Sequence, residues 1–259
     1  MVALASALPA SAQSIFASLP EAIWHDNHSE TRRAKPIPSG YRALDQELPN
    51  GCWPASVLIE LLMPRPDVGE LLVLAPALRQ LTQAGKTVIL LAPPHIPSAA
   101  SLADLGIDLS NVILIKADKP MDRIWAVEQA MQSVDFGALL CWLPEARPDH
   151  LRRLQLLAAG NDGLTFVFRP LSDQSQSSPA PLRMLCQPAT DGRMSVEIIK
   201  RRGPVHSKPM MLSLAASSKV STPPVARSLS SPVFTTPSYT VAHSALAATA
   251  ARHRATLPV

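Results

Sequence analysis

Short, continuous apolar runs alternate with segments of helical periodicity through the middle of this chain. The strand-type runs occupy 56–63, 87–94, 111–118, 136–144 and 163–170. The segments between them place leucine, isoleucine or valine at helical spacing. Runs that are apolar at nearly every position are typical of strands buried on both faces, as in parallel sheets covered by helices. The sequence therefore predicts a three-layer α/β domain.

Two further runs predict how the sheet closes. "PLRMLCQP" and "MSVEIIKRRG" are expected to form an antiparallel pair across "ATDG". We place the domain at residues 36–214, after an N-terminal helix and linker over 1–35. Residues 215–259 are rich in Ser, Thr, Pro and Ala and contain no acidic residue. This composition predicts a disordered tail, with one short helix near "AHSALAATAARHR".

Charge and cysteine content indicate the cellular compartment and the kind of partner to expect for this chain. The formal net charge is +4, and residues 203–259 hold five basic side chains and no acidic ones. That end suits either a solvated tail or contact with nucleic acid or an acidic partner. Three scattered cysteines without a CxxC pair indicate reduced thiols. Because no apolar run reaches the roughly 18 residues of a membrane helix and no basic residue precedes Arg32, we expect a cytoplasmic protein without membrane contact.

Gly85-Lys86-Thr87 resembles the end of an ATPase phosphate loop, but its context is reversed. A working loop follows a strand and opens a helix, whereas this triplet follows a predicted helix and opens a predicted strand. The first glycine of the motif would stand at position 80, which is Gln80. The triplet is therefore interpreted as the glycine that ends a helix, followed by an exposed lysine in a turn.

The junction between the first strand and the first long helix is where a phosphate loop belongs. It reads Met63-Pro64-Arg65-Pro66-Asp67-Val68-Gly69-Glu70-Leu71. Gly69 fills the last glycine position, but Glu70 replaces the phosphate-binding lysine and Leu71 replaces the hydroxyl residue that holds Mg²⁺. Strand 136–144 offers Cys141 and Trp142 where an aspartate would bind the metal through water.

These replacements predict a degenerate phosphate loop on an ATPase-like architecture. We expect no catalytic residue, no cofactor and no metal site, and hence a binding module rather than an enzyme. An ATPase with an atypical loop is the enzymatic alternative.

Two places are candidate contact surfaces. Lys200, Arg201 and Arg202 leave the last predicted strand together, where they suit DNA phosphates, an acidic partner or simple solvation. Trp53 lies in the turn "PNGCWPAS" and is predicted to be a surface anchor for a partner protein.

Several stretches, in the same order, resemble a known family. "IPSGYRALDQELPNGCWPASVLIELL" is similar to the opening of a RecA-type core. Together with "VGELLVLAPAL", "ALLCWLPEA", "FVFRP" and "VEIIKRRG", it resembles ImuA over roughly residues 15–214. ImuA proteins are RecA-like, lack a normal phosphate loop, are associated with translesion DNA synthesis and are related to the cell-division inhibitor SulA.

The resemblance implies a RecA-like (P-loop NTPase-type) fold and an accessory role in SOS-induced mutagenic translesion synthesis. It implies contacts with RecA and with the ImuB and DnaE2 polymerase machinery, and it leaves direct contact with DNA open. The relation to SulA implies an alternative, in which the chain is an SOS inhibitor of cell division that binds FtsZ.

Overall fold

The structure, a computed structural model, describes residues 36–65, 69–133, 135–203 and 208–214. The segments 1–35 and 215–259, for which the sequence predicts a helix with a linker and a disordered tail, lie outside the described residues.

The described ranges contain eight strands and five α-helices, and a helix separates each of the first five strands from the next. The helices are α1 (Arg42–Asp45), α2 (Glu70–Gln83), α3 (Ala99–Asp104), α4 (Pro120–Ser133) and α5 (Pro148–Ala158). The strands are β1 (Leu58–Met63), β2 (Val88–Leu91), β3 (Val112–Ile115), β4 (Ala138–Trp142), β5 (Leu164–Pro170), β6 (Leu182–Pro188), β7 (Arg193–Lys200) and β8 (Met210–Ser213). Single 3₁₀ turns lie at Pro49–Gly51, Leu109–Asn111 and Leu171–Ser175.

All eight strands belong to one sheet, in the order β3-β2-β4-β5-β1-β6-β7-β8. The strands from β3 to β6 in this order run parallel to one another. Strand β7 then pairs antiparallel with β6, and β8 pairs antiparallel with β7. The mostly parallel sheet and the closing antiparallel pair predicted from the sequence are both confirmed.

Helices cover both faces of the sheet. Buried side chains of α2 and α3 share one hydrophobic cluster with the first face, around Phe166. Buried side chains of α4 and α5 share a second cluster with the opposite face, around Leu139. Because successive strand residues point to opposite faces, strands with two covered faces must be apolar at nearly every position. This is why the runs in the sequence are continuous rather than alternating.

Helix α2 contains a proline without ending there. Pro76 has no backbone N–H, so the carbonyl of Leu72, one turn earlier, loses its helical donor. The hydroxyl of Tyr41 donates to that carbonyl at 2.8 Å. Gly40, at φ +84, makes room for the proline ring, since a Cβ at position 40 would lie 2.4 Å from Pro76 Cβ. The segment "PSGY", residues 38–41, is thus the part of the chain that accommodates the proline.

A buried charged cluster ties together the three central strands. Glu60 in β1 is fully buried, and its two carboxylate oxygens accept from Arg169 Nη1 in β5 and from Arg183 Nε in β6, each at 2.7 Å. Arg169 also bonds Asp173 at 2.8 Å, and Arg183 donates to the carbonyl of Asp173 at 3.1 Å. Two arginines and two carboxylates therefore balance one another in a largely buried cluster.

Loss of the central carboxylate is expected to cost much of the stability of the domain. Glu60→Gln should lower the free energy of unfolding by about 3–5 kcal/mol, because it leaves Arg169 and Arg183 buried with one carboxylate between them. Glu145→Gln is the matched control: Glu145 pairs with Arg123 at 3.3 Å but is half exposed, so its loss should cost less than about 1 kcal/mol. Urea unfolding of both variants measures the difference, and equal midpoints would contradict a structural role for the cluster.

Candidate functional site

The carboxyl ends of the parallel strands meet at one edge of the sheet, where open α/β sheets bind their ligands. A crevice of about 590 Å³ lies there. Its walls come from the ends of β1, β2, β3, β4 and β5, through Met63, Ala92, Lys116, Trp142 and Phe168. This crevice is the candidate functional site.

Glu70 and Trp142 meet inside the crevice. Gly69 takes the left-handed conformation at φ +102, and the chain then enters α2 with Glu70 as its first residue. The buried carboxylate of Glu70 accepts a hydrogen bond from Trp142 Nε1 at 3.3 Å. The indole of Trp142 stacks on Phe168, with ring centroids 4.7 Å apart and an angle of 26° between the planes. In an ATPase, residues at these two positions would hold phosphate and metal. Here the two residues are hydrogen-bonded to each other.

This pairing removes the anion-binding function of the helix terminus. The N-terminus of a helix attracts negative charge through its unpaired N–H groups and its dipole. In this chain the Glu70 side chain supplies that negative charge, so a phosphate at the same place would be repelled. Cys141, the other residue at the metal position, lies on the opposite face of the sheet, where burial raises the pKa of its thiol. Of Cys141 and Trp142, only Trp142 lines the crevice.

Prolines lie at or just after the ends of four of the five strands that line the crevice. Pro64 follows β1, Pro93 and Pro94 follow β2, Pro144 follows β4, and Pro170 ends β5; all five line the crevice. A phosphate loop binds its ligand with consecutive backbone N–H groups, and proline has none. The five prolines therefore remove backbone N–H donors from the part of the rim that the structure describes.

The charged side chains of the crevice fall into two groups. Arg123 is held in place, donating to the carbonyls of Ala117 at 2.9 Å and Asp118 at 3.0 Å and pairing with Glu145. Arg65 and Lys116 are exposed at the rim and make no ion pair with any residue in the described ranges. Two cations and one carboxylate, that of Asp118, are thus exposed in the lining of the crevice.

The structure describes only part of the predicted degenerate loop. Met63 is buried in the core, Pro64 and Arg65 line the crevice, and Leu71 packs partly against the core. Pro66 and Asp67 lie outside the described residues.

Trp53 is not a surface residue, which corrects the predicted anchor. Only 3% of it is exposed, and its ring meets Phe166 edge-on at a centroid distance of 5.1 Å. The backbone of its turn pairs with Ile37 in an isolated bridge. The turn therefore places the Trp53 side chain in the core, where a partner protein could not contact it.

The three cations at the end of β7 have different surroundings. Lys200 donates to the carbonyl of Ser178 at 2.6 Å, and Arg201 pairs with Glu47 at 2.9 Å. Arg202 is exposed. Two of the three predicted contact residues are thus used within the domain, and their role in binding a partner stays a prediction.

Sequence reasoning missed the crevice walls Lys116, Arg123 and Phe168. Their signal was present, because Lys116 and Phe168 lie near the ends of predicted strands and Arg123 lies at the start of a helix that follows one. Comparing the ends of the parallel strands with one another would have grouped them.

Neither a candidate membrane span nor a candidate metal-binding cluster lies in the described ranges. None of the helices there is both long and apolar enough to cross a bilayer. No group of three or more His, Cys, Asp or Glu side chains in the same ranges is placed to hold a metal ion.

Restoring the missing cation is not expected to restore nucleotide chemistry. Glu70→Lys should bind no more ATP than the parent chain in a calorimetric titration with Mg²⁺, and should release no phosphate. Leu71 and Trp142 still lack the hydroxyl and metal-binding groups that the chemistry needs. Glu145→Lys, at the same edge but on an exposed side chain, controls for the change of charge. Saturable ATP binding or turnover by the parent chain would contradict the account of the crevice.

Comparison with known proteins identifies relatives of this chain. The family model described as "SulA: Cell division inhibitor SulA" matches residues 59–166, from the start of β1 to the middle of β5. Two proteins named "Cell division inhibitor SulA" are each 31% identical to this chain over 114 residues. They come from Yersinia pestis (strain Pestoides F) and Yersinia pseudotuberculosis serotype O:1b (strain IP 31758), and the match covers 44% of this chain and 67% of each relative.

The expected role in translesion synthesis is wrong in the light of these matches. The family and both relatives are cell division inhibitors, and none of them points to the ImuA group. The relation to SulA, which supplied the alternative reading of the sequence, is confirmed. At 31% identity over two thirds of a known inhibitor, the chain belongs to the SulA family.

Proposed function

We propose that this chain inhibits cell division by binding the division protein FtsZ. The observation that carries the proposal is the position of the matched segment, residues 59–166. This segment contains five parallel strands or parts of them, with the four longer connecting helices, and so corresponds to one contiguous structural unit. What is shared with the inhibitors is therefore a folded body rather than a short motif.

The inhibitor is proposed to act without catalysis and without a cofactor. The bond between Glu70 and Trp142 at 3.3 Å supports this, because it occupies the positions at which an ATPase of this architecture would hold phosphate and metal. Inhibition would then follow from occupancy of the target and depend on the amounts of the two proteins. No observation favours the ATPase alternative.

Four sequence-based expectations stand beside the proposal. Production during the SOS response and a cytoplasmic location are part of it, because they place the inhibitor with a division protein after DNA damage. The RecA-type assignment of the sheet stays a prediction that the strand order β3-β2-β4-β5-β1-β6-β7-β8 supports. Contacts with RecA, ImuB and DnaE2 also stay predictions, and the proposal does not use them.

Overproduction in a bacterial host tests the proposal directly. We expect long, undivided cells, because the inhibitor would remove FtsZ from the pool available for division. Raising FtsZ in the same cells should restore normal length by mass action. An equally abundant unrelated α/β protein is the control. Normal cell length at full expression would contradict the proposal, and filaments that extra FtsZ does not relieve would point to another target.

A further inference from the structure

A second cavity lies beside the second half of helix α2, and we call it the α2 groove. Its volume is about 500 Å³. The residues that line it are Pro38, Gly40, Pro76, Arg79, Gln80, Gln83 and Ala84. The crevice is a separate place, because it touches α2 only at Glu70, the first residue of the helix.

The proline side of the α2 groove is held in place by contacts already described. Gly40, at φ +84, lets the backbone approach the ring of Pro76. The hydroxyl of Tyr41 donates to the carbonyl of Leu72 at 2.8 Å, which fixes the same segment to the helix. Pro38 and Pro76 therefore face the groove from two elements that are tied to each other.

Arg79 is the one charged residue among those that line the groove in the described part of the chain. Its aliphatic stem lies against Gly106, where an added Cβ would be 2.7 Å from Arg79 Cδ. Gln83 Nε2 donates to the carbonyl of Gly106 at 3.1 Å, so this wall is also tied down. Arg79 is exposed and makes no ion pair with any residue in the described ranges. The groove thus offers a fixed positive charge beside two proline rings.

The two ends of the chain join the domain at different places. The N-terminal segment, 1–35, joins it just before Pro38, at the α2 groove itself. The C-terminal tail, 215–259, leaves it after Leu214, whose Cδ1 would lie 3.2 Å from a Cβ placed on Gly69. Gly69 precedes α2, whereas the groove lies along its second half. Of the two segments, the N-terminal one is attached at the groove.

The N-terminal segment also has the matching chemistry. Its charged residues between positions 11 and 28 are Glu21 and Asp26, both acidic. Trp24 follows Glu21 by three residues, so the two side chains share a face in the helix that the sequence predicts. Aromatic side chains and proline rings pack on each other in proline recognition. The tail is a poor match, since it carries basic residues and no acidic one.

We propose that residues 19–26 fold back onto the α2 groove of the same chain. Trp24 packs between Pro38 and Pro76, and the carboxylate of Glu21 pairs with Arg79. The connecting residues 25–35 span up to about 36 Å when extended, which is ample for a site next to their own point of attachment. Because the segment is tethered, its effective concentration is high and a small contact area is enough to hold it.

Hydrogen exchange of the full-length protein, read by mass spectrometry, tests the proposal. We expect the amides of residues 19–26 to exchange about tenfold or more slowly than those of a synthetic peptide of the same sequence. Exchange of the core strands in the same samples shows whether each variant is folded.

Variants on both sides of the contact identify the site. Arg79→Glu, Glu21→Arg and Trp24→Ser should each bring the exchange of residues 19–26 close to that of the peptide. Arg79→Glu combined with Glu21→Arg should restore most of the protection, because the pair of opposite charges is re-formed. Arg152→Glu, on an exposed residue of α5 outside the groove, and Glu30→Arg, in the same N-terminal segment, are the matched controls and should change nothing.

Several results would overturn the proposal. These are exchange of the parent chain at the rate of the peptide, protection that survives Arg79→Glu and Trp24→Ser, and a double variant that is no better protected than either charge reversal alone. Protection that falls on dilution would assign the groove to the N-terminal segment of a second copy. The measurement contains no FtsZ, so a chain that fails to inhibit division would reject the proposed function and leave this result unaffected.

Discussion

The pairing of the buried Glu60 carboxylate with two arginines constrains how the central strands align. Strand β1 lies between β5 and β6, and the buried carboxylate binds one arginine from each neighbour. A buried charge is tolerated only when it is paired and hydrogen-bonded, so the three strands must keep a register that brings these groups together. Arg169 also lines the crevice. The cluster therefore connects the packing of the sheet to the shape of the candidate site.

At the carboxyl edge, the architecture that binds nucleotides in other proteins is used differently. A fold does not determine a function, because the function depends on the residues placed at the site. Here Glu70 supplies the anion that a helix terminus attracts, Trp142 donates to it, and the stacked Phe168 holds the indole in place. The result is an aromatic crevice that lacks the lysine and the metal-binding aspartate of phosphoryl transfer.

Much of the fold could be predicted from the sequence, because its cause is local. The continuous apolar runs specify strands with two buried faces, and the strand bounds differ from the predicted ones mainly by residues at the ends. The Glu60 cluster could not be predicted in this way. Its partners lie 109 and 123 residues away along the chain, and only the strand order brings them together. The prediction for Trp53 failed for the same reason, since a turn residue is buried only when a distant strand packs on it.

The function was harder to predict than the fold. A degenerate phosphate loop marks the absence of an activity and is compatible with several binding roles. The residues that distinguish these roles lie on the surface. A local pattern such as "IIKRRG" does not reveal that Lys200 and Arg201 are paired with groups of the same domain.

The central claim is that this chain acts on the division machinery as a binding protein without nucleotide chemistry. Sedimentation of purified FtsZ polymers in GTP, with increasing amounts of the chain, tests it most directly. The account predicts that the polymer mass falls in proportion to the chain added and that ATP does not change the effect. Polymer mass that stays constant with the chain in excess, or inhibition that requires ATP, would contradict it.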